Sequence, residues 1–183
     1  MSLVQQPEPF DGWDWIYEIK HDGFRALAVI EKGQCRFFSR KKHKLTGYQD
    51  LRAAFVKEVN AETAILDGEL VVTEHMGRTV FADMMQRRHP ARYFAFDLLA
   101  HNGEDLTHLP LLERKKKLKR NLPSRSAHVL DVDHSRGNGT ARYRLACRLN
   151  LEGIVAKRTD SRYEAIPMSG IGSKSRILSI VRR

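Results

Sequence analysis

The stretch Trp15-Ile16-Tyr17-Glu18-Ile19-Lys20-His21-Asp22-Gly23-Phe24-Arg25-Ala26-Leu27-Ala28-Val29-Ile30-Glu31 decides how the chain is read. Its first six residues are rich in aromatic and β-branched side chains, which favours a strand. A period of two puts Trp15, Tyr17 and Ile19 on one face and Ile16, Glu18 and Lys20 on the other. His21-Asp22-Gly23 is a turn signal. Phe24 to Glu31 reads as a second strand and, after Lys32-Gly33-Gln34, Cys35 to Arg40 as a third. The expected arrangement is an antiparallel meander with Lys20 ending its first strand.

Further along, Tyr48, Leu51, Phe55 and Val59 recur at helical spacing, which predicts a helix over Tyr48 to Val59. Strands are expected at Ala64 to Thr73 and Tyr93 to Leu99, the latter followed by a turn at His101-Asn102-Gly103. Pro110 opens a basic helix, Leu111 to Leu122, whose run Arg114-Lys115-Lys116-Lys117 reads as a solvated face, with DNA contact as the alternative. Ala127 to Val132, Glu152 to Lys157 and Arg176 to Val181 read as strands, and Thr140 to Leu149 as a helix. Many strands and few helices without regular βαβ alternation imply an α+β fold of largely antiparallel sheets flanked by helices. Residues 1 to about 12 read as a Pro-containing lead-in, and the rest, 13–183, as one domain.

The composition narrows the class. At 183 residues the chain is long enough for a sizeable core. Lys and Arg number 32 against 22 Asp and Glu, so the net charge of +10 points to a polyanionic partner, with nucleic acid foremost. Two cysteines cannot build a disulfide framework or a Cys-based zinc site. The eight histidines show no ligand spacing. No apolar run is long enough to span a bilayer, and the first residues lack the basic start and apolar core of a secretory signal. A cytoplasmic protein with no membrane partner is expected.

Lys20 ends an apolar strand, and an acid, a glycine and Arg25 follow it. Such a segment forms a plain hairpin or carries a nucleophilic lysine. A lysine in water titrates near 10.4, so holding it neutral at pH 7 costs about 4.6 kcal/mol. Neighbouring cations or a metal lower that cost by disfavouring the ammonium. Glu69, in Leu66-Asp67-Gly68-Glu69-Leu70, and Glu152, in Leu151-Glu152-Gly153-Ile154-Val155-Ala156-Lys157, each join an acid to a glycine in an apolar strand. An acid there is costly without a partner. The two carboxylates either face solvent at strand ends or serve as oxygen ligands for Mg²⁺. Phe94 and Phe96 share a face of an aromatic strand, so one of them can stack on a base. Ser39-Arg40, with Lys41, Lys42 and Lys44, suits either a solvated loop or a phosphate contact.

In order, these elements resemble the adenylation domain of ATP-dependent DNA ligases, within the lysine nucleotidyltransferases. Lys20-His21-Asp22-Gly23-Phe24-Arg25 matches K-x-D-G-x-R, and Ser39-Arg40 the short S-R element. Asp67-Gly68-Glu69 matches D-G-E, Phe96-Asp97 the aromatic element, and Glu152 to Lys157 matches E-G-I-V-x-K. The segments Phe96 to Leu106 and Leu109 to Arg114 resemble bacterial ligases of the end-joining, ligase D-like type. The resemblance implies an ATP-grasp-like fold, ATP and Mg²⁺ as cofactors, and nicked double-stranded DNA as substrate, in DNA repair and recombination at the bacterial nucleoid. It implies that Lys20 forms a lysyl-adenylate, with Glu18 at the adenine amino group and Phe96 stacked on the ring. Arg25 and Arg40 would hold ribose or the 5′-phosphate. Glu69 would touch ribose or the metal, Glu152 would hold the metal, and Lys157 would face the phosphates.

Two departures stand out. The family's last motif approximates S-x-x-W-x-K-x-K, where this chain has Ser175-Arg176-Ile177-Leu178-Ser179-Ile180-Val181-Arg182. Leu178 stands for the tryptophan, Ile180 for the first lysine and Arg182 for the second, with Lys157, Lys174 or Arg182 as compensating cations. The OB-fold domain of family ligases is also expected to be absent, which makes a separate OB-fold or end-joining protein a candidate partner. The competing readings are a degenerate ligase-like module that binds nucleotide or nucleic acid without chemistry, and an RNA ligase or capping-type enzyme.

Overall fold

The computed structural model describes residues 4–72, 90–164 and 177–181. In chain order the elements are β1 (Val4–Gln5), β2 (Gly12–Ile19), β3 (Phe24–Glu31), β4 (Gln34–Ser39), β5 (Lys44–Leu45), α1 (Gln49–Glu58), β6 (Ala64–Val72), β7 (Ala91–His101), β8 (Glu104–Asp105), α2 (Leu111–Asn121), β9 (Val129–Asp131), β10 (His134–Gly137), α3 (Gly139–Arg148), β11 (Gly153–Arg158) and β12 (Ile177–Val181). The fold is α+β, with largely antiparallel sheets as expected. The parallel exceptions are β1 beside β12 and β9 beside β7.

The described chain forms two compact units, one within residues 1–20, 107–112 and 132–183, the other within 21–106 and 113–131. The first holds a five-stranded sheet in the order β1-β12-β11-β2-β10. One face of that sheet carries Tyr17, Ile154, Ala156 and Ile180, all fully buried with Ala146 of α3, and Phe10, Trp15, Ile19, Tyr143 and Leu178 pack around them. This is the face that the alternation of Trp15, Tyr17 and Ile19 predicts. The opposite face carries Ile16, Glu18, Lys157 and Ser179, which are buried as well.

The second unit holds a sheet in the order β5-β4-β3-β6-β7-β8, with β9 added beside β7. Its core is aromatic. The ring of Phe55 from α1 meets Phe37 edge-on at 5.3 Å and Tyr93 edge-on at 5.0 Å. The Tyr93 hydroxyl donates to Ala26 O at 2.8 Å, and burial pushes its pKa well above the phenolic norm. The turn at Asn102-Gly103 joins β7 to β8 with both residues at positive φ, 47° and 83°, the geometry of a tight two-residue hairpin.

Three expectations need correction. First, β2 and β3 are not hairpin partners. β2 pairs with β10 and β11, while β3 pairs with β4 and β6 in the other sheet, so the chain changes sheets at Lys20-His21. Local turn chemistry predicts a reversal, but long-range pairing with residues 134–137 and 153–158 claims β2 instead. Second, the run Arg114 to Lys117 is not simply a solvated face. Arg114 and Lys115 are buried and paired with Asp97 and Asp131. Third, the strand expected to start at Glu152 begins one residue later, at Gly153, which leaves Glu152 just outside it. A side chain at 153 would place its Cβ 2.1 Å from Ile180 O, at a φ of 156°. Only glycine permits this close approach.

Candidate functional site

In the first unit, Lys20 lies one residue past β2, where its N–H donates to Gly153 O at 3.0 Å. The last rung between β2 and β11 therefore brings Lys20 beside Glu152. The Lys20 ammonium donates to Glu152 Oε1 at 2.5 Å, with both side chains half-buried. The second carboxylate oxygen, Glu152 Oε2, is buried without a hydrogen-bond partner among the described residues. On the same sheet face, Lys157 Nζ lies 2.5 Å from Glu18 Oε2, both side chains under one-tenth exposed. Pairing explains how an acid and an amine are tolerated there, since either alone would cost several kcal/mol.

Cross-strand register carries this face on to β12. Glu18 faces Val155, and Val155 faces Ser179. The residues of β12 on that face are Ile177, Ser179 and Val181, none of them cationic. Ile180, the position expected to replace a lysine, points instead into the apolar core. Ser175, Arg176 and Arg182 of that segment, and Lys174, lie outside the described residues.

The second unit gathers another set. Arg25 on β3 makes a bidentate pair with Asp67 on β6, Nε to Oδ1 at 3.0 Å and Nη2 to Oδ2 at 2.6 Å. Its guanidinium carbon stands over the Phe96 ring, 5.5 Å from the centroid, within cation–π range. Glu69 lies opposite Arg25 in register on one side and opposite Phe94 on the other. The His21 imidazole stacks on Phe94 at 4.1 Å. Gly68, inside the D-G-E element, cannot be replaced without a clash, because a Cβ there would fall 2.4 Å from the Tyr93 ring. Arg40, just past β4, is exposed.

The structure thus joins Lys20 with Glu152 and Glu18 with Lys157 in one unit, and Arg25 with Phe96 in the other. The partners that hold these groups, Asp67 for Arg25 and Arg114 for Asp97, are not among the expected site residues. The signal for Asp67 was present, since an aspartate inside Ile65-Leu66-Asp67-Gly68 requires a buried cation. No group of three or more His, Cys, Asp or Glu side chains gathers at metal-binding distance among the described residues. Mg²⁺ takes one or two carboxylates and completes its shell with phosphates and water. The buried, unpartnered Oε2 of Glu152 fits the role of one such ligand.

Comparison with known proteins identifies the family of the chain. The ATP-dependent DNA ligase domain family matches residues 4–169. The chain belongs to that family. Among relatives, it is 34% identical over 175 residues to the multifunctional non-homologous end joining protein LigD of Pseudomonas aeruginosa, covering 90% of this chain and 20% of that protein. It is 31% identical over 171 residues to the SPbeta prophage-derived DNA ligase-like protein LigB of Bacillus subtilis, covering 90% of this chain and 62% of that one. The chain spans less than two thirds of the length of either relative. Among solved structures, a mycobacterial DNA ligase D complexed with ATP and MES superposes with a TM-score of 0.78 at 26% identity, over 98% of this chain and 59% of that one. The ligase domain of Mycobacterium tuberculosis LigD gives a TM-score of 0.76 at 26% identity, over 97% and 57%. The expected ligase D-like type is thereby supported. No helix among the described residues is long and apolar enough to cross a membrane.

Proposed function

We propose that this chain carries out the nucleotidyl-transfer steps of an ATP-dependent DNA ligase, with Lys20 as the nucleophile. The observation that carries the reading is the Lys20–Glu152 contact, which sets an amine beside a carboxylate that has a second buried oxygen to offer. Lys20 Nζ attacks the α-phosphorus of ATP. The new N–P bond replaces the bond to the pyrophosphate oxygen, and the Nζ proton leaves to a base within hydrogen-bond reach, the place Glu152 occupies. AMP then passes to the 5′-phosphate at a DNA nick, and the 3′-hydroxyl displaces it.

The remaining roles follow residue by residue. Glu18 accepts from the adenine amino group, Phe96 stacks on the ring, and Lys157, held beside Glu18, adds positive charge toward the phosphates. Arg25 and Arg40 hold ribose or the incoming 5′-phosphate, and Glu69 holds ribose or the metal. Glu152, with Glu69, would hold Mg²⁺, which when bound neutralises phosphate charge. The surplus positive charge attracts the DNA backbone. DNA repair, a place at the nucleoid and an end-joining or OB-fold partner protein belong to the same reading.

The test is incubation with α-phosphate-labelled ATP and Mg²⁺, followed by denaturing electrophoresis and a nick-sealing assay on DNA and RNA duplexes. Covalent label on Lys20 and a preference for nicked DNA support the reading. A second reading, nucleotide binding without chemistry, is favoured by one observation: β12 supplies no cation among Ile177–Val181. ATP bound without covalent label after prolonged incubation would establish it.

A further inference from the structure

Phe96 occupies an irregular position in β7. Along the β6–β7 pairing, Asp67 faces Asp97 and Gly68 faces Ala95, so Phe96 is an extra residue at a break in register. Such a bulge bends its strand and redirects a side chain, and it persists only where surrounding contacts fix it. The residue next to it, Asp97, is fixed on every side. Its Oδ1 accepts from its neighbour's amide, Leu98 N, at 2.9 Å. Both its oxygens also take a bidentate grip from Arg114 of α2, Nε to Oδ1 at 2.8 Å and Nη2 to Oδ2 at 2.8 Å. The Arg114 side chain is fully buried.

A hydrophobic pair of similar size would serve stability as well or better, because burying two charges costs several kcal/mol in desolvation. What an apolar pair cannot supply is direction. A planar guanidinium bound twice to one carboxylate fixes angle as well as distance. On the far side of Asp97 the bulge delivers Phe96, and the Arg25 guanidinium stands over that ring. The guanidinium and the bulge together fix how the aromatic ring is presented.

We propose that Asp97 and Arg114 are positioning residues that hold the β7 bulge so that Phe96 stacks on the nucleobase. This rests on the reading of Phe96 under the proposed function. The pair acts on the base through Phe96 and does not act on the phosphates.

The test is calorimetric binding of ATP and of inorganic tripolyphosphate to wild type, Arg114→Lys, Phe96→Ala and the double variant. Arg114→Lys keeps the charge and loses the bidentate fork. It should weaken ATP binding about tenfold, the scale of one lost base–aromatic stack, leave tripolyphosphate binding unchanged, and have no further effect in the Phe96→Ala background. Equal weakening of both ligands, or an effect that persists without Phe96, would overturn the proposal. If Arg114→Lys does not fold, the apolar replacement Asp97→Leu with Arg114→Met runs the same cycle with the same expected outcomes. Wild type that binds ATP, with Arg114→Lys binding it equally well, overturns the positioning role alone. Wild type that does not bind ATP overturns the nucleotide reading and this proposal with it.

Discussion

The Lys20 ammonium donates to Glu152 Oε1 at 2.5 Å, joining two residues 132 positions apart in sequence. The contact depends on the β2–β11 pairing and on a glycine at 153, so the lysine and the carboxylate are placed by the sheet itself. Glu152→Gln preserves shape and removes the charge. It should leave the fold intact and lower the rate of lysyl-adenylate formation by roughly a hundred- to a thousandfold, the usual effect of losing one electrostatic group at a reacting centre. Single-turnover labelling with ATP measures this, and an unchanged rate would remove Glu152 from the chemistry.

Lys157 and Glu18 form a buried pair, so removing one partner strands the other. Lys157→Met should destabilise the protein by about 3–5 kcal/mol, and combining it with Glu18→Leu should recover most of that loss. Urea unfolding of the single and double variants checks this. Equal stability of the two would show that the pair is not coupled.

Ile180 tests the departure in the last motif. Restoring the family's lysine by position, as Ile180→Lys, would drive an ammonium among Tyr17, Ala146, Ile154 and Ala156. The loss of a buried aliphatic side chain alone costs about 2–5 kcal/mol, and the charge adds to it. The variant should melt well below wild type and gain no adenylation, as thermal unfolding and labelling would report.

Cys35 carries a pH dependence. Burial pushes its thiol up to about 12, with Arg52 opposing the shift weakly. A thiol in the unfolded chain titrates near 8.5, so the folded state retains its proton where the unfolded state has lost it. This contribution to stability is complete below about pH 8.5 and disappears as pH rises toward 12. Stability should therefore fall on alkaline titration, and Cys35→Ala should flatten the part of that fall due to this group. In the native protein at pH 8, Cys35 should resist a thiol reagent that labels the half-buried Cys147.

The local elements were largely legible in the sequence. Apolar alternation in Trp15 to Ile19 identified the core face of β2, and the helical spacing of Leu51 and Phe55 placed α1. The acid–glycine elements marked Glu69 and Glu152 because a carboxylate in an apolar strand demands a partner. Pairing between distant strands was less legible. His21-Asp22-Gly23 looks like a hairpin turn, and nothing local reveals that β2 is claimed by residues 134–137 and 153–158. The short strands β1, β5, β8 and β10 carry too few residues for a periodic signal. Arg114 and Lys115 show a further limit. A basic run on a helix reads as solvated until the carboxylates waiting beneath it, Asp97 and Asp131, are known.

The most direct test of the account is covalent labelling of the intact protein with α-phosphate-labelled ATP and Mg²⁺, mapped by mass spectrometry. A single AMP adduct is expected on Lys20, lost in Lys20→Ala and discharged when nicked DNA is added. Intact, folded protein that binds ATP yet acquires no adduct at Lys20 would contradict it.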